Sequence, residues 1–255
     1  MSIWKVNVES LNLRKEPKVE AGNIIRTLPL SQEVTVVKGA SSDRWWEVQT
    51  SLDGTTLLGF VSAAFLRQPV NQAKEKLITV SVKEWLRFEQ GEKMEYEHPY
   101  YQYVGEYWNS IGFIMDGRNR DQPWSAAFIS FVAREAGYND FKFASAHHFY
   151  IRDAFEKRQD NDVTAPFWGF NLNEHKPQLG DLVCRWRENF VRSIDSLPSG
   201  GFKSHCDIVV EVRDREVRTL GGNVNQSVSI TPYTLDADGF LKSANNVFAV
   251  LRNNK

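Results

Sequence analysis

Cysteine is scarce in this chain, because its 255 residues include only Cys184 and Cys206. Two cysteines are too few for the disulfide framework of a small secreted domain, although a single bridge between them stays open. No C-x-x-C spacing occurs, and no recognised spacing of histidine, cysteine and acidic residues supplies the three or four ligands of a zinc site. We therefore expect no metal and no other cofactor.

An excess of charge and a long apolar run are also lacking. The 31 basic and 32 acidic residues nearly cancel, so nothing indicates the basic surface of a nucleic-acid-binding protein. No apolar run approaches the 18 residues that a membrane span requires. The opening residues, MSIWKVNVES, lack the basic start and apolar core of a secretory signal. We expect synthesis in the cytoplasm without a signal peptide, and non-classical delivery if the protein acts at the cell wall or in the periplasm.

The first quarter of the chain has the rhythm of short strands. Apolar and polar residues alternate through residues 3–67, with turn signals about every ten residues, which predicts a small all-β barrel. The order of its segments resembles the bacterial SH3-like domain family: LNLRKEP, EVTVV, RWWEVQT and GFVSAAFL. This resemblance implies a binding module for cell-wall peptides or glycans over residues 1–68.

The rest of the chain has longer periods followed by a new alternation. Residues 69–80 are polar and are predicted to be a linker. Helical spacing of apolar residues follows, and strand-like alternation resumes near residue 180. Helices followed by a run of strands predict an α+β domain over residues 81–255.

The helical segment PWSAAFISFVAREAG carries the candidate nucleophile, Ser125. We expect Asp121 to cap this helix, Pro123 to lie in its first turn and Gly137 to end it. Free backbone N–H groups and the positive end of the helix dipole would then favour an oxyanion beside Ser125. A serine hydroxyl also needs a general base. A capping or packing serine fits the same local pattern.

A candidate base and its orienting residue lie on two predicted strands. His205 opens the segment HCDIVVEV, and Asp207 follows on the same face of that strand. Asn223 ends the next predicted strand at a Gly-Gly turn, and hairpin pairing would bring it close to His205. An amide in that place fixes the tautomer of a histidine, which is the third role of a catalytic triad. Two buried hydrogen-bonding residues would look the same in sequence.

The order of these segments resembles the papain-like cell-wall amidases of the CHAP and NlpC families. It comprises PWSAAFISFV, LGDLV, HCDIVVEV and GGN, within residues 85–252. The resemblance implies helices packed on an antiparallel sheet, with Ser125 where those families carry cysteine, His205 as base and Asn223 as orienting residue. It is closest to an uncharacterised bacterial branch in which serine is native. A Cys→Ser substitution is the alternative.

Further residues are candidates for substrate binding, and packing or capping is the alternative for each: Trp124, His148, His147, Asp207 and Tyr107. The resulting hypothesis is a peptidoglycan amidase or peptidase with a Ser-His-Asn site, targeted by its SH3-like domain, as in a phage lysin or a secreted toxin. The alternative is a non-catalytic pseudoenzyme that binds wall peptides or a protein. A third option is docking onto a protein partner such as an immunity protein.

Overall fold

The computed structural model describes residues 2–39, 44–187, 193–244 and 246–255. The chain divides into two compact units, Met1–Val70 and Asn71–Lys255. None of the helices in the described ranges is both long and apolar enough to cross a membrane.

The first unit is a seven-stranded antiparallel sheet with its own core. The strands run in the order β3-β2-β6-β5-β4-β1-β7. Their bounds are β1 Ser2–Val6, β2 Ser10–Arg14, β3 Ile24–Pro29, β4 Glu33–Lys38, β5 Trp45–Leu52, β6 Thr55–Ser62 and β7 Leu66–Arg67. Alternate residues such as Leu11 and Leu13 turn inward and are buried. The expected all-β unit is confirmed, and its first and last strands, β1 and β7, pair with each other.

The second unit places its long helices first and most of its strands afterwards. The helices are α1 Gln72–Arg87, α2 Tyr100–Asn109, α3 Ser125–Glu135 and α4 His147–Gln159. The strands are β8 Phe167–Phe170, β9 Leu182–Trp186, β10 Ser204–Val212, β11 Glu216–Val224, β12 Ser227–Thr234 and β13 Val247–Asn253. They form one antiparallel sheet in the order β12-β11-β10-β9-β13-β8. The α+β class is confirmed.

Helix α1 covers most of the stretch that was expected to be a linker. The side chain of Asn71 caps it by accepting a hydrogen bond from the backbone N–H of Lys74, at 3.1 Å. Leu77 and Ile78, within the expected linker 69–80, are buried in the second unit. The charged residues around this apolar pair hide the helical period in the sequence.

Helix α3 begins later than the sequence indicated. Trp124 is its N-cap residue and Ser125 its first helical residue, so neither Asp121 nor Pro123 lies inside it. The first backbone bond of the helix runs from the N–H of Phe128 to the carbonyl of Trp124, at 2.9 Å. The N–H groups of the first turn therefore remain available, and Ser125 lies directly beside them.

Asp181 ties the start of β9 to the last strand. Its Oδ2 accepts hydrogen bonds from the backbone N–H of Gln178, at 2.8 Å, and from Nε2 of His175, at 2.7 Å. Its Oδ1 accepts from the backbone N–H of Asn253, at 2.8 Å. Asp181 is fully buried and so is its bond to Asn253, so the N–H of Asn253 has no water to replace the carboxylate.

We predict that Asp181→Ala destabilises the protein by about 2 kcal/mol or more, since it leaves buried donors without an acceptor. Asp140→Ala is the control, because the Asp140 side chain is 70% exposed and bridges Lys255 at the surface. This control should cost less than about 1 kcal/mol. Urea unfolding of the three proteins measures both values, and equal losses would contradict the prediction.

Candidate active site

Ser125 and His147 each begin a helix, and the two helix starts meet at one cavity of about 570 Å³. The Oγ of Ser125 lies 2.6 Å from Nε2 of His147. Ser125 is 2% exposed and His147 is 5% exposed, so this hydrogen bond is shielded from bulk water. The direct partner of Ser125 is therefore His147, where the sequence led us to expect His205.

Both ring nitrogens of His147 contact a hydroxyl. Nδ1 contacts the hydroxyl of Tyr150, and Nε2 contacts the hydroxyl of Ser125. A hydroxyl can donate or accept, so Tyr150 can accept a hydrogen bond from Nδ1–H. In that tautomer the lone pair of Nε2 faces the hydroxyl of Ser125, which is the arrangement that a general base needs.

The surroundings keep His147 uncharged. Burial, followed by the His205 ring and the guanidinium of Arg187, holds the pKa of His147 well below its usual value. The positive N-terminal end of α4 acts in the same direction. His147 is therefore neutral at pH 7 and able to accept a proton from Ser125.

His205 is engaged elsewhere. Its Nε2–H donates to Oδ1 of Asp207 at 2.6 Å, and its Nδ1 accepts from Nη2 of Arg187 at 2.8 Å. Burial outweighs the attraction of Asp207 and lowers the pKa of His205. Both ring nitrogens are thus occupied by groups other than Ser125. The His205 ring still flanks the base, with its centroid 5.1 Å from that of His147.

Asp207 orients His205, the role that we expected Asn223 to have. Burial alone would raise the pKa of this carboxyl, but the His205 ring, Arg185 and the hydroxyl of Tyr233 together hold it below its usual value. The Tyr233 hydroxyl donates to Oδ2 of Asp207 at 3.1 Å. Asp207 is therefore a buried carboxylate that orients His205, not a group that contacts substrate.

Asn223 lies apart from His205 for a reason of register. Strands β10 and β11 pair Ile208 with Leu220, and this register, if continued, would set His205 opposite Asn223. The pairing stops at Ile208, and β11 is irregular between Gly221 and Val224. Among the described residues, no hydrogen bond joins Asn223 to His205. Asn223 instead lines a second cavity.

The two glycines before Asn223 let the sheet come close to the site. A Cβ on Gly221 would lie 1.7 Å from Oδ1 of Asp207 and 3.1 Å from Nε2 of His205. A Cβ on Gly222 would lie 2.5 Å from Cβ of Phe128 on α3. Only glycine fits both positions, which explains the GGN segment in physical terms.

We predict that Gly221→Ala separates Asp207 from His205 and lowers the melting temperature by several degrees, because the clash is with a buried carboxylate that has no room to move. Gly200→Ala is the matched control, since a Cβ there meets nothing within 4 Å. Thermal unfolding measures the effect on stability. The NMR chemical shifts of the His205 ring show whether its hydrogen bond to Asp207 is kept. An unchanged His205 ring in Gly221→Ala would contradict the prediction.

Trp124 and Tyr107 are core residues, contrary to the cleft position expected for them. Both are at most 1% exposed, and their rings pack 5.6 Å apart. The indole N–H of Trp124 donates to Oε2 of Glu95 at 2.5 Å, and the hydroxyl of Tyr107 donates to Oε2 of Glu84 at 2.6 Å. These buried carboxylates satisfy the polar ends of the two rings. The pair supports α3 from behind.

The cavity wall combines apolar and basic groups. Its lining includes Trp108, Met115, His148, Arg187 and Phe202. His148 packs its ring on Phe202, with centroids 5.7 Å apart, so its expected place in the cleft agrees with the structure.

Sequence reasoning missed Arg187 and Tyr150. The spacing of Tyr150, three residues after His147 on a helix, was the available signal. In the described ranges, no three His, Cys, Asp or Glu side chains are grouped so that they could hold a metal ion.

The two buried histidines predict a loss of stability in acid. Their folded pKa values lie below 6.5, the value of an exposed histidine, so only the unfolded chain binds protons as the pH falls below 6.5. The two histidines therefore do not lower the free energy of unfolding above pH 6.5. Below pH 6.5 this free energy declines, by at most about 1.4 kcal/mol per pH unit for each histidine. His147→Gln should flatten this decline, whereas His98→Asn, at an exposed position, should not. Urea unfolding at pH 5 and 7.5 tests this, and an equal decline in all three proteins would contradict it.

Two family comparisons cover most of the chain. Residues 94–254 match the bacterial family described as "Uncharacterized protein conserved in bacteria (DUF2272)". Residues 9–67 match the bacterial SH3 domain, which confirms the resemblance inferred for the first unit. No curated protein matches the chain in sequence.

The solved structures similar to this chain include NlpC proteins. NlpC2 from Trichomonas vaginalis is 13% identical with a TM-score of 0.33, and the match covers 99% of this chain and 73% of that one. NlpC1 from the same organism is 12% identical with a TM-score of 0.34, covering 99% and 69%. An NlpC/P60 family protein from Bacillus cereus ATCC 10987 is 10% identical with a TM-score of 0.34, covering 99% and 63%. At these scores the likeness carries no inference about activity.

Proposed function

We propose that this chain, which belongs to the DUF2272 family of bacterial proteins, hydrolyses an amide bond in peptides of the bacterial cell wall, with Ser125 as its nucleophile. The observation that carries the proposal is the 2.6 Å hydrogen bond from Ser125 Oγ to Nε2 of His147, at a helix start that opens into a cavity. A nucleophile, an oriented base and free N–H groups in one place are the minimum equipment for acyl transfer.

The reaction begins with attack of Ser125 Oγ on the amide carbonyl carbon, while Nε2 of His147 takes the hydroxyl proton. Backbone N–H groups in the first turn of α3 stabilise the negative charge on the carbonyl oxygen. The C–N bond then breaks, and His147 gives the proton to the leaving amine. Water, deprotonated by the same nitrogen, attacks the acyl-serine, which releases the acid and regenerates Ser125.

Tyr150 orients the base, a role that a carboxylate or amide plays in the triads we expected. Its hydroxyl contacts Nδ1 of His147, and in the reactive tautomer it accepts a hydrogen bond from Nδ1–H. A neutral phenol stabilises the imidazolium of the transition state less than a carboxylate does. The rate of the proposed reaction at Ser125, His147 and Tyr150 therefore depends on further electrostatic stabilisation of the His147 imidazolium.

The N-terminal unit supplies the reason for placing this chemistry at the cell wall. It belongs to the bacterial SH3 domains, for which the resemblance implies binding of wall peptides or glycans. A tethered binding module raises the local concentration of substrate around the catalytic unit. Amidase and peptidase are both compatible with this arrangement, as are the settings of a lysin or a secreted toxin.

A non-catalytic binding protein is the second candidate. The strongly lowered basicity of His147 favours it, because such a base gains little by taking a proton from serine. The cavity would then hold a wall peptide without cutting it.

We predict that the full chain releases fragments from purified peptidoglycan and that Ser125→Ala lowers the rate on the order of 10³-fold or more. His147→Asn should have a similar effect, since it removes the base. Ser199→Ala, at an exposed serine, is the control and should cut normally. Mass spectrometry of the products gives the bond that is cut, and circular dichroism verifies that each variant folds.

Other outcomes reassign the site. Cutting by Ser125→Cys alone would mean a site adapted to a thiolate. Binding to the wall without cutting by any variant would support the non-catalytic candidate. If a folded His205→Asn variant loses activity and His147→Asn keeps it, then His205 is the base and the assignment above is wrong.

A further inference from the structure

The second unit has another cavity beside the candidate active site. Its volume is about 670 Å³. Polar side chains on its wall include Arg185, Arg187, Asn223, Asn225, Thr231 and Asn246. None of the four roles proposed so far, which are nucleophile, base, base orientation and oxyanion stabilisation, uses this cavity.

Two arginines bring positive charge to this cavity. Arg185 lies on β9 directly opposite His205, and its Nε is buried without a hydrogen-bond partner. Arg187 lies at the rim and gives one hydrogen bond, to the neutral His205 ring. In the described part of the chain, no carboxylate is within ion-pair distance of either guanidinium. Partial burial and the positive charge of Arg185 lower the pKa of Arg187, and Asp207 opposes them.

The carboxylate of Asp207 interacts with both arginines but already has two hydrogen-bond partners. The Asp207 carboxylate accepts from His205 on one oxygen and from Tyr233 on the other. Among the residues that the structure describes, this one carboxylate interacts with two guanidinium groups, so one of the two positive charges has no counter-charge. A guanidinium nitrogen that is buried without a partner, as Nε of Arg185 is, destabilises the protein unless an anion pairs with the group.

The two cavities share one wall. Arg187 lines the cavity that contains Ser125 as well as the second cavity. A peptide whose amide lies at Ser125 can therefore extend past Arg187 and place a side group in the second cavity. Planar guanidinium groups recognise carboxylates through paired hydrogen bonds, and the amides of Asn223 and Asn246 add neutral donors.

We propose that the cavity lined by Arg185 and Arg187 binds a carboxylate of the peptide substrate, so that the enzyme selects acidic wall peptides. The proposal rests on the proposed function, because it places this carboxylate on the peptide that Ser125 attacks. It also gives Asn223 a binding role instead of the orienting role expected from the sequence.

A bound carboxylate also supplies the electrostatic help that Tyr150 lacks. The charged and titratable groups acting on His147 include His205, Arg187, Arg185 and His148, and all of them disfavour its cation. Neutralising the two arginines removes part of this penalty at the moment the substrate is in place. Acidic substrates then gain in kcat as well as in binding.

The test uses two synthetic wall stem peptides that differ only in carrying free carboxylates or carboxamides. Wild type should prefer the acidic peptide in kcat/KM by about 10-fold or more, the size expected for a charge-assisted pair. Arg185→Gln should cut both peptides equally, and Arg185→Lys should retain part of the preference. Arg213→Gln is the control, because Arg213 is a surface residue paired with Glu211.

Calorimetric binding to the uncut Ser125→Ala protein separates this proposal from the proposed function. If the acidic peptide binds more tightly and Arg185→Gln removes the difference, the carboxylate site stands even when wild type cuts neither peptide. If wild type cuts both peptides equally well, the function stands and the carboxylate site is overturned. Equal binding of both peptides to Ser125→Ala also overturns it, whatever the fold of the Arg185 variants.

Discussion

The hydrogen bond between Ser125 and His147 depends on two helices starting at the right residues. A helix turns by about 100° per residue, so a shift of one residue at the start of α3 or α4 would point the side chain away from the cavity. Gly222 allows Phe128 on α3 to sit against the sheet, and the buried pair of Tyr107 and Trp124 supports the helix from behind. The packing of the second unit therefore fixes the distance on which its chemistry rests.

The two histidines differ in whether they can contact Ser125, because their ring nitrogens have different partners. His205 has Asp207 on one nitrogen and Arg187 on the other, and so it has no lone pair left for the serine. His147 has a hydroxyl on each side, and hydroxyls can either donate or accept. The carboxylate thus belongs to the histidine that does not contact Ser125, and the base is oriented by a neutral Tyr150.

Sequence patterns were informative about elements and weak about pairings. Ser125 at a helix start and His205 near the start of a strand followed from local periodicity, which depends on neighbours in the chain. Local periodicity could not show whether His147 or His148 contacts Ser125, because that depends on the exact first residue of α4. Asn223 was placed by extending a hairpin register, and an irregularity after Gly221 ended that register. Such an irregularity leaves no mark in a single sequence except the glycines that permit it.

The electrostatics of the site also bear on the serine that stands where the sequence resemblance led us to expect a cysteine. A cysteine–histidine site works as a thiolate beside an imidazolium, so it needs a histidine that holds its proton at rest. Burial, His205 and Arg187 make that state unfavourable for His147. A neutral hydroxyl beside a neutral imidazole asks for no separated charge until the transition state. The surroundings of His147 therefore suit a neutral serine hydroxyl better than a thiolate, and in the proposed reaction the substrate supplies the compensating charge.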